Sequence, residues 1–68
     1  SDLEITAVSY SNIAGVYCEL GDFEKALEYL GKAYKIYEKV LGPEHPKTEQ
    51  VSSNIEIVKL LMTLFPNR

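Results

Sequence analysis

The sequence is poor in the residues that build disulfide frameworks, metal centres and membrane spans. Its 68 residues contain one cysteine, Cys18, one histidine, His45, and no tryptophan. One cysteine cannot form a disulfide within the chain, and one cysteine with one histidine cannot supply the ligands of a structural zinc site. The apolar runs are too short to span a bilayer, and no segment has the pattern of a signal peptide. We therefore expect no metal, no membrane segment and a reducing, cytoplasmic location.

The sequence contains no group of residues with the pattern of a catalytic site. His45 follows Glu44 but precedes Pro46, and we interpret it as a solvated turn residue rather than half of an acid–base pair. Cys18 has no histidine at a predictable distance, and Glu19 beside it is expected to raise the pKa of its thiol. The four glycines are too scattered for a phosphate-binding loop. The sequence therefore predicts no catalytic residues, no enzyme activity and no cofactor.

The composition is that of a small folded chain with an acidic balance. Ten acidic and seven basic residues give a net charge of −3, and 46% of the residues are hydrophobic. An acidic chain makes nucleic acid an improbable partner. A chain this short buries only about 60% of its unfolded surface, so its core is marginal without a partner. The first residue is Ser1 rather than methionine, from which we expect a processed chain or a fragment.

Apolar residues recur at intervals of three and four, which is the spacing of amphipathic helices rather than strands. The pattern predicts helices over residues 3–20, 22–41 and 46–65. The fold is therefore expected to be all-α without strands, with the apolar stripes of the three helices packed together. The stripes consist of Ile5, Val8, Ile13, Ala14, Val16, Tyr17 and Leu20, then Phe23, Leu27, Leu30, Tyr34, Tyr37 and Leu41, widened by Ala26, Ala33 and Val40, then Val51, Ile55, Val58, Met62 and Phe65.

Glycines and prolines punctuate the predicted helices. Gly21 and Gly42 are expected to end the first two helices, and Pro46 suits the first position of the third. Asp22 is a good N-cap for the second helix. Gly31 lies inside that helix at a cost of about 1 kcal/mol, and we interpret it as permitting close approach of another backbone.

The chain contains an internal repeat. Ser11-Asn12-Ile13 recurs as Ser53-Asn54-Ile55, an offset of 42, and three further positions repeat at the same offset. Those positions are Thr6 with Thr48, Val16 with Val58, and Phe23 with Phe65. A period of this length in a helical chain predicts a solenoid, in which each unit is a helical hairpin that packs against the next.

These residues resemble the tetratricopeptide repeat superfamily, whose pattern combines small residues with large ones at fixed spacings. Gly21-Asp22-Phe23 resembles the turn between the two helices of such a repeat, and the turn from Leu41 to Pro46 is similar to that of the 42-residue repeats of kinesin light chains. Glu38 departs from the pattern, because many such repeats have proline there. The matching positions are Tyr10, Ile13, Ala14, Tyr17, Ala26, Leu30 and Ala33, of which the alanines would let two helices approach closely.

The resemblance implies one domain over residues 1–68, an α-solenoid fragment. Residues 3–41 would form the helix-turn-helix repeat, and residues 46–65 would begin a second repeat or cap the first. It also implies protein–protein binding, with an extended peptide or partner helix held in a concave groove lined by first helices. Asn12 matches a family asparagine that bonds the ligand backbone, although it could instead bond a neighbouring helix. The groove residues would be Val8, Ser11, Asn12, Gly15, Cys18, Glu19 and Asn54.

Charge along the first helix bears on the kind of ligand. This helix carries Asp2, Glu4 and Glu19, and the first basic residue of the chain is Lys25. Some members of the superfamily hold a terminal carboxylate with lysines, which are absent from the comparable positions here. An anionic ligand would meet a field of the wrong sign, so we expect a neutral or basic protein or peptide.

The third helix carries more apolar residues than one face can bury. Glu56 and Lys59 replace the small residue and the tyrosine that would receive another helix, which favours a capping role. Yet additional apolar residues widen its stripe, and exposed patches of this kind mark interfaces. Either a longer parent chain covers them or copies of the chain associate, and we expect a homo-oligomer of the isolated chain. The interface residues would be Ile57, Leu60, Leu61 and Leu64.

Overall fold

A computed structural model describes residues 1–66 as three helices of equal length. They are α1 (Asp2–Leu20), α2 (Phe23–Leu41) and α3 (Pro46–Leu64). All regular structure in the described range is helical, which confirms the all-α prediction, and each predicted end lies within one residue of the observed one. Among these residues no helix has both the length and the apolar character needed to cross a membrane.

The first turn is closed by the residues that the sequence singled out. Gly21 adopts the left-handed conformation with φ of 82°, and its N–H donates to the carbonyl of Cys18. The Asp22 carboxylate accepts a hydrogen bond from the Lys25 N–H at 3.2 Å, as expected of an N-cap. At the start of α1 it is the Ser1 hydroxyl that accepts from the N–H of Glu4. Interactions between residues close in sequence therefore set both ends of α1 and the start of α2.

The second turn uses glycine, histidine and proline in succession. Gly42 has φ of 94° and ψ of 157°, a region that essentially only glycine occupies, and its N–H donates to the carbonyls of Tyr37 and Glu38. His45 is the N-cap of α3, because its Nδ1 accepts from the N–H of Lys47 at 3.1 Å. Pro46 is the first residue of α3, as predicted. His45 is therefore a turn residue, as the sequence predicts, and it has an additional capping role that the sequence analysis did not identify.

Helix α2 lies between α1 and α3 and packs against both. The alanines of the family pattern, Ala14, Ala26 and Ala33, are buried at these contacts, and Ala7, which the pattern did not single out, is buried too. Small residues let two helix backbones approach closely, so the predicted role of the three alanines is confirmed. The core comprises Ala7, Ala14, Ala26, Leu30, Ala33, Tyr37, Val51 and Val58, together with the buried Thr48.

The predicted burial of the α1 stripe holds for Ala14, which is buried, and Tyr17, which is half-buried, but it is wrong for the aliphatic members. Helix α1 packs against α2 through its alanines and tyrosines. In α3 the stripe positions Val51, Ile55, Val58 and Met62 are buried or half-buried, although Phe65 is exposed. Their α1 counterparts at the offset of 42 include Ile13, Val16 and Leu20, and no helix within the described residues covers these three side chains. The exposed members of the α1 stripe are Ile5, Val8, Ile13, Val16 and Leu20, and we call Ile5, Ile13, Val16 and Leu20 the α1 outer face.

Three tyrosines pack together between α1 and α2. The ring of Tyr29 lies 5.7 Å from that of Tyr17 in a stacked arrangement and 5.8 Å from that of Tyr10. The Lys32 ammonium lies over the Tyr10 ring at 5.9 Å. These contacts give the three tyrosines a structural role in the α1–α2 interface. Gly31 of the same helix is not needed for close packing, because a Cβ there would meet no atom within 4 Å, and that interpretation is wrong within this chain.

Candidate functional site

A shallow groove runs between α1 and α3 on one side of the molecule. Its walls pair Val8 with Gln50 toward one end and Cys18 with Leu61 toward the other. The residue numbers on both walls rise together, so α1 and α3 run in the same direction, with the antiparallel α2 behind them. The groove contains two depressions that adjoin each other, one apolar and one polar.

The apolar depression has a volume of about 180 Å³. Gly15 and Cys18 of α1 face Ile57 and Leu61 of α3 across it, and the buried Leu30 of α2 contributes to its floor. Among residues 1–66, no side chain that carries a charge at neutral pH lines it. The lining residues in that range are Ser11, Ala14, Gly15, Cys18, Leu30, Asn54, Ile57, Val58 and Leu61.

The polar depression lies toward the N-terminal ends of the same two helices. Its volume is about 190 Å³, and the buried Tyr37 contributes to its floor. Lys47 is the charged residue among its lining residues, which are Val8, Ser11, Tyr37, Lys47, Gln50, Val51 and Asn54. The two depressions therefore differ in that the one we call polar carries Lys47 and Gln50, whereas the apolar one carries no charged residue of the described range.

Ser11 and Asn54 are common to both depressions and so lie at the centre of the groove. Asn54 is half-buried, and its amide can both donate and accept a hydrogen bond. The Ser11 hydroxyl oxygen is buried without a hydrogen-bond partner among the described residues. The hydroxyl oxygen of Thr48, in the core, is likewise without a partner in this range, so the Ser11 hydroxyl is an available polar group of the groove but does not by itself indicate a ligand.

The structure brings most of the sequence-predicted groove residues together. Five of them line the two depressions, namely Val8, Ser11, Gly15, Cys18 and Asn54. Asn12 is exposed and lines neither depression, because it lies toward the α1 outer face. Glu19 lies farther along the groove, in a separate depression with Phe23 and Phe65. Contact of Asn12 and Glu19 with a ligand therefore remains a prediction.

The α3 wall of the groove is largely missing from the sequence-based set. Gln50, Ile57 and Leu61 line it, together with Lys47. The first three are the counterparts, at the offset of 42, of Val8, Gly15 and Glu19. Applying the internal repeat to the whole groove surface, rather than to the asparagine alone, would have found them. Leu30 and Tyr37 come from α2, and their contribution to the floor depends on the packing of all three helices.

The thiol of Cys18, the one cysteine of the sequence, lines the groove. Burial raises the pKa of its thiol, so the thiol is protonated at neutral pH and is a poor nucleophile. The direction agrees with the expectation from the sequence, but the cause is desolvation rather than the neighbouring Glu19. Within residues 1–66 no group of three or more histidine, cysteine, aspartate or glutamate side chains is placed to hold a metal ion.

The four residues assigned to an oligomer interface separate into two pairs. Ile57 and Leu61 line the apolar depression, whereas Leu60 and Leu64 are exposed outside it. Glu56 and Lys59 are exposed and form an ion pair at 3.6 Å. We call Leu60 and Leu64 the α3 outer face.

Comparison with known proteins supplies the remaining evidence. The sequence profile of the tetratricopeptide repeat matches residues 6–47, a segment whose length equals the internal offset. Among similar curated proteins is a clustered mitochondria protein homolog from Candida albicans, 39% identical over 57 residues. The alignment covers 84% of this chain but 4% of that protein, so the chain spans a small part of its relative. No solved structure matches the chain significantly.

Proposed function

Because the chain belongs to the tetratricopeptide repeat family, we propose that it is a non-enzymatic module that binds a peptide or partner helix in the groove between α1 and α3. The placement of Asn54 is the main support. Its half-buried amide lies at the junction of the polar and apolar depressions, which Ser11 also lines. An amide in that position can pair with the backbone of a bound segment while side chains on either side occupy the depressions.

The charge distribution supports a neutral or basic ligand. Helix α1 carries Asp2, Glu4 and Glu19 without a basic residue, and the net charge of the chain is −3. Lys47 introduces one positive charge at the polar end of the groove, so an acidic ligand residue would be favoured only there. We also propose that the repeat is of the 42-residue, kinesin-light-chain-like kind, in a cytoplasmic protein. The 42-residue offset and the single cysteine support these two assignments.

The groove assignment predicts different effects for two asparagines at equivalent repeat positions. Peptides would be selected from a phage-displayed random library and their binding measured by fluorescence anisotropy. We expect Asn54→Ala to weaken binding about tenfold, because it removes a hydrogen bond from a partly desolvated site. Asn12→Ala tests the sequence-based assignment of the other asparagine, and it should weaken binding less than Asn54→Ala does, because Asn12 lies outside both depressions. Peptides whose binding neither Asn54→Ala nor any other groove substitution weakens would contradict the proposal.

A second candidate function is self-assembly, and the exposed apolar faces at the two ends of the stack favour it. The α1 outer face and the α3 outer face both lack a covering helix in the described residues. A chain of 68 residues gains a larger core by burying such faces against another copy. In this candidate the main partner of the chain is another copy of itself, bound through α3.

Sedimentation over a dilution series separates the two candidates. Self-assembly predicts a mass that rises with concentration in the micromolar range, and it predicts a monomer for the double variant Leu60→Glu with Leu64→Glu. Val40→Glu is the control. Val40 lies on α2 with 36% of its surface exposed, so this variant should leave the mass unchanged. A wild-type chain that stays monomeric throughout would exclude self-assembly and leave the groove as the interaction surface.

A further inference from the structure

The apolar depression has an opening on its α1 wall because Gly15 has no side chain. Its counterpart on α3 at the offset of 42 is Ile57, so the two walls of one groove carry different residues at equivalent positions. A Cβ built at Gly15 would meet no atom within 4 Å, so the space beside it is open. The packing of this chain therefore does not require glycine at this position, although glycine in a helix interior costs about 1 kcal/mol relative to alanine.

The dimensions and lining of the depression define what fits. Pockets for small-molecule ligands commonly measure about 300–1,000 Å³, and this depression of about 180 Å³ is smaller. In the part of the chain that the structure describes, its lining carries no formal charge, since the Cys18 thiol is protonated, and burial of a charged group there would be unfavourable. Ile57 is 54% exposed, so apolar surface remains available to a partner.

We propose that this depression, which we call the Gly15 notch, accepts one apolar side chain of a bound polypeptide. The proposal rests on the groove function and adds the chemistry of the ligand. The anchor side chain lies between Gly15 and Ile57 above Leu30, and its backbone passes Asn54, which borders the notch. An uncharged lining gives apolar complementarity to an aliphatic side chain and none to a lysine or glutamate. Buried apolar anchors in such pockets commonly dominate the affinity of an interface.

The test uses the whole 68-residue chain and a phage-displayed random peptide library. Peptides enriched on the wild type should share one apolar residue, and its replacement by alanine should weaken binding at least tenfold in fluorescence anisotropy. Gly15→Met places a side chain in the notch and should also weaken binding at least tenfold. Gly31→Met is the matched control, since Gly31 is an α2 glycine with open space around it and lies outside both groove depressions. It should leave binding unchanged, and circular dichroism should show that both variants stay folded.

The combined results distinguish a wrong assignment of the notch from a wrong assignment of the whole groove. Peptides that lose affinity with Asn54→Ala but tolerate Gly15→Met, and that share no apolar residue, would leave the groove intact and overturn the notch. Peptides indifferent to every groove substitution would overturn both. If Gly15→Met instead lowered the sedimentation mass without changing peptide binding, the occupant would be another copy of the chain, and the notch proposal would be wrong.

Discussion

Val58→Asp should unfold the chain or reduce its free energy of unfolding by at least about 3 kcal/mol, because it places an unpaired carboxylate in the core. Val58 is 3% exposed and lies in the contact between α3 and the rest of the core. A domain of this length has a free energy of unfolding of about 3–10 kcal/mol, so the loss is comparable with the whole. Urea denaturation followed by circular dichroism measures the effect.

Val16→Asp is the matched control that the internal repeat supplies. Val16 is the counterpart of Val58 at the offset of 42, and it is 55% exposed on the α1 outer face. The carboxylate stays in water there, so we expect a change of less than about 1 kcal/mol, mostly from the nearby helix C-terminus. Similar losses in the two variants would show that the α1 outer face is covered in solution. Repeating the Val16→Asp measurement at several protein concentrations would then identify another copy as the cover.

Leu30→Ala is the second substitution with a large expected effect. Leu30 is 4% exposed and packs in the centre of the core formed by all three helices. Removing a buried leucine commonly costs about 2–5 kcal/mol, through lost burial and the cavity that remains. Here the new space adjoins the open apolar depression, so we expect a value near the lower end, about 2–3 kcal/mol. Thermal and urea unfolding should both show it.

Leu20→Ala provides the same chemical change without the burial. Leu20 is 67% exposed near the end of α1, and alanine is at least as good a helix former, so the free energy of unfolding should change by less than about 0.5 kcal/mol. A large loss at Leu20 or a small one at Leu30 would contradict the observed arrangement of the core. Because Leu30 also contributes to the floor of the Gly15 notch, peptide binding by its variant is informative only at temperatures where the variant is folded.

The sequence determined the helices and their ends, because those features depend on residues close together in the chain. Gly21 and Gly42 adopt positive φ angles, Asp22 caps α2 by accepting from the N–H of Lys25, and Pro46 starts α3. Each is a short-range effect of backbone conformation or a hydrogen bond within a few residues. The internal repeat and the family pattern are likewise properties of the sequence alone.

Only the tertiary structure decided which apolar face each helix buries and what lines the groove. Val16 and Val58 have the same identity and the same repeat position, yet one is exposed and the other is buried, because only α3 has α2 beside that face. The groove walls combine α1 and α3, and the floor comes from α2, so its lining depends on how three distant segments pack. Burial depends on the presence of a neighbouring helix, which the identity of a residue does not specify.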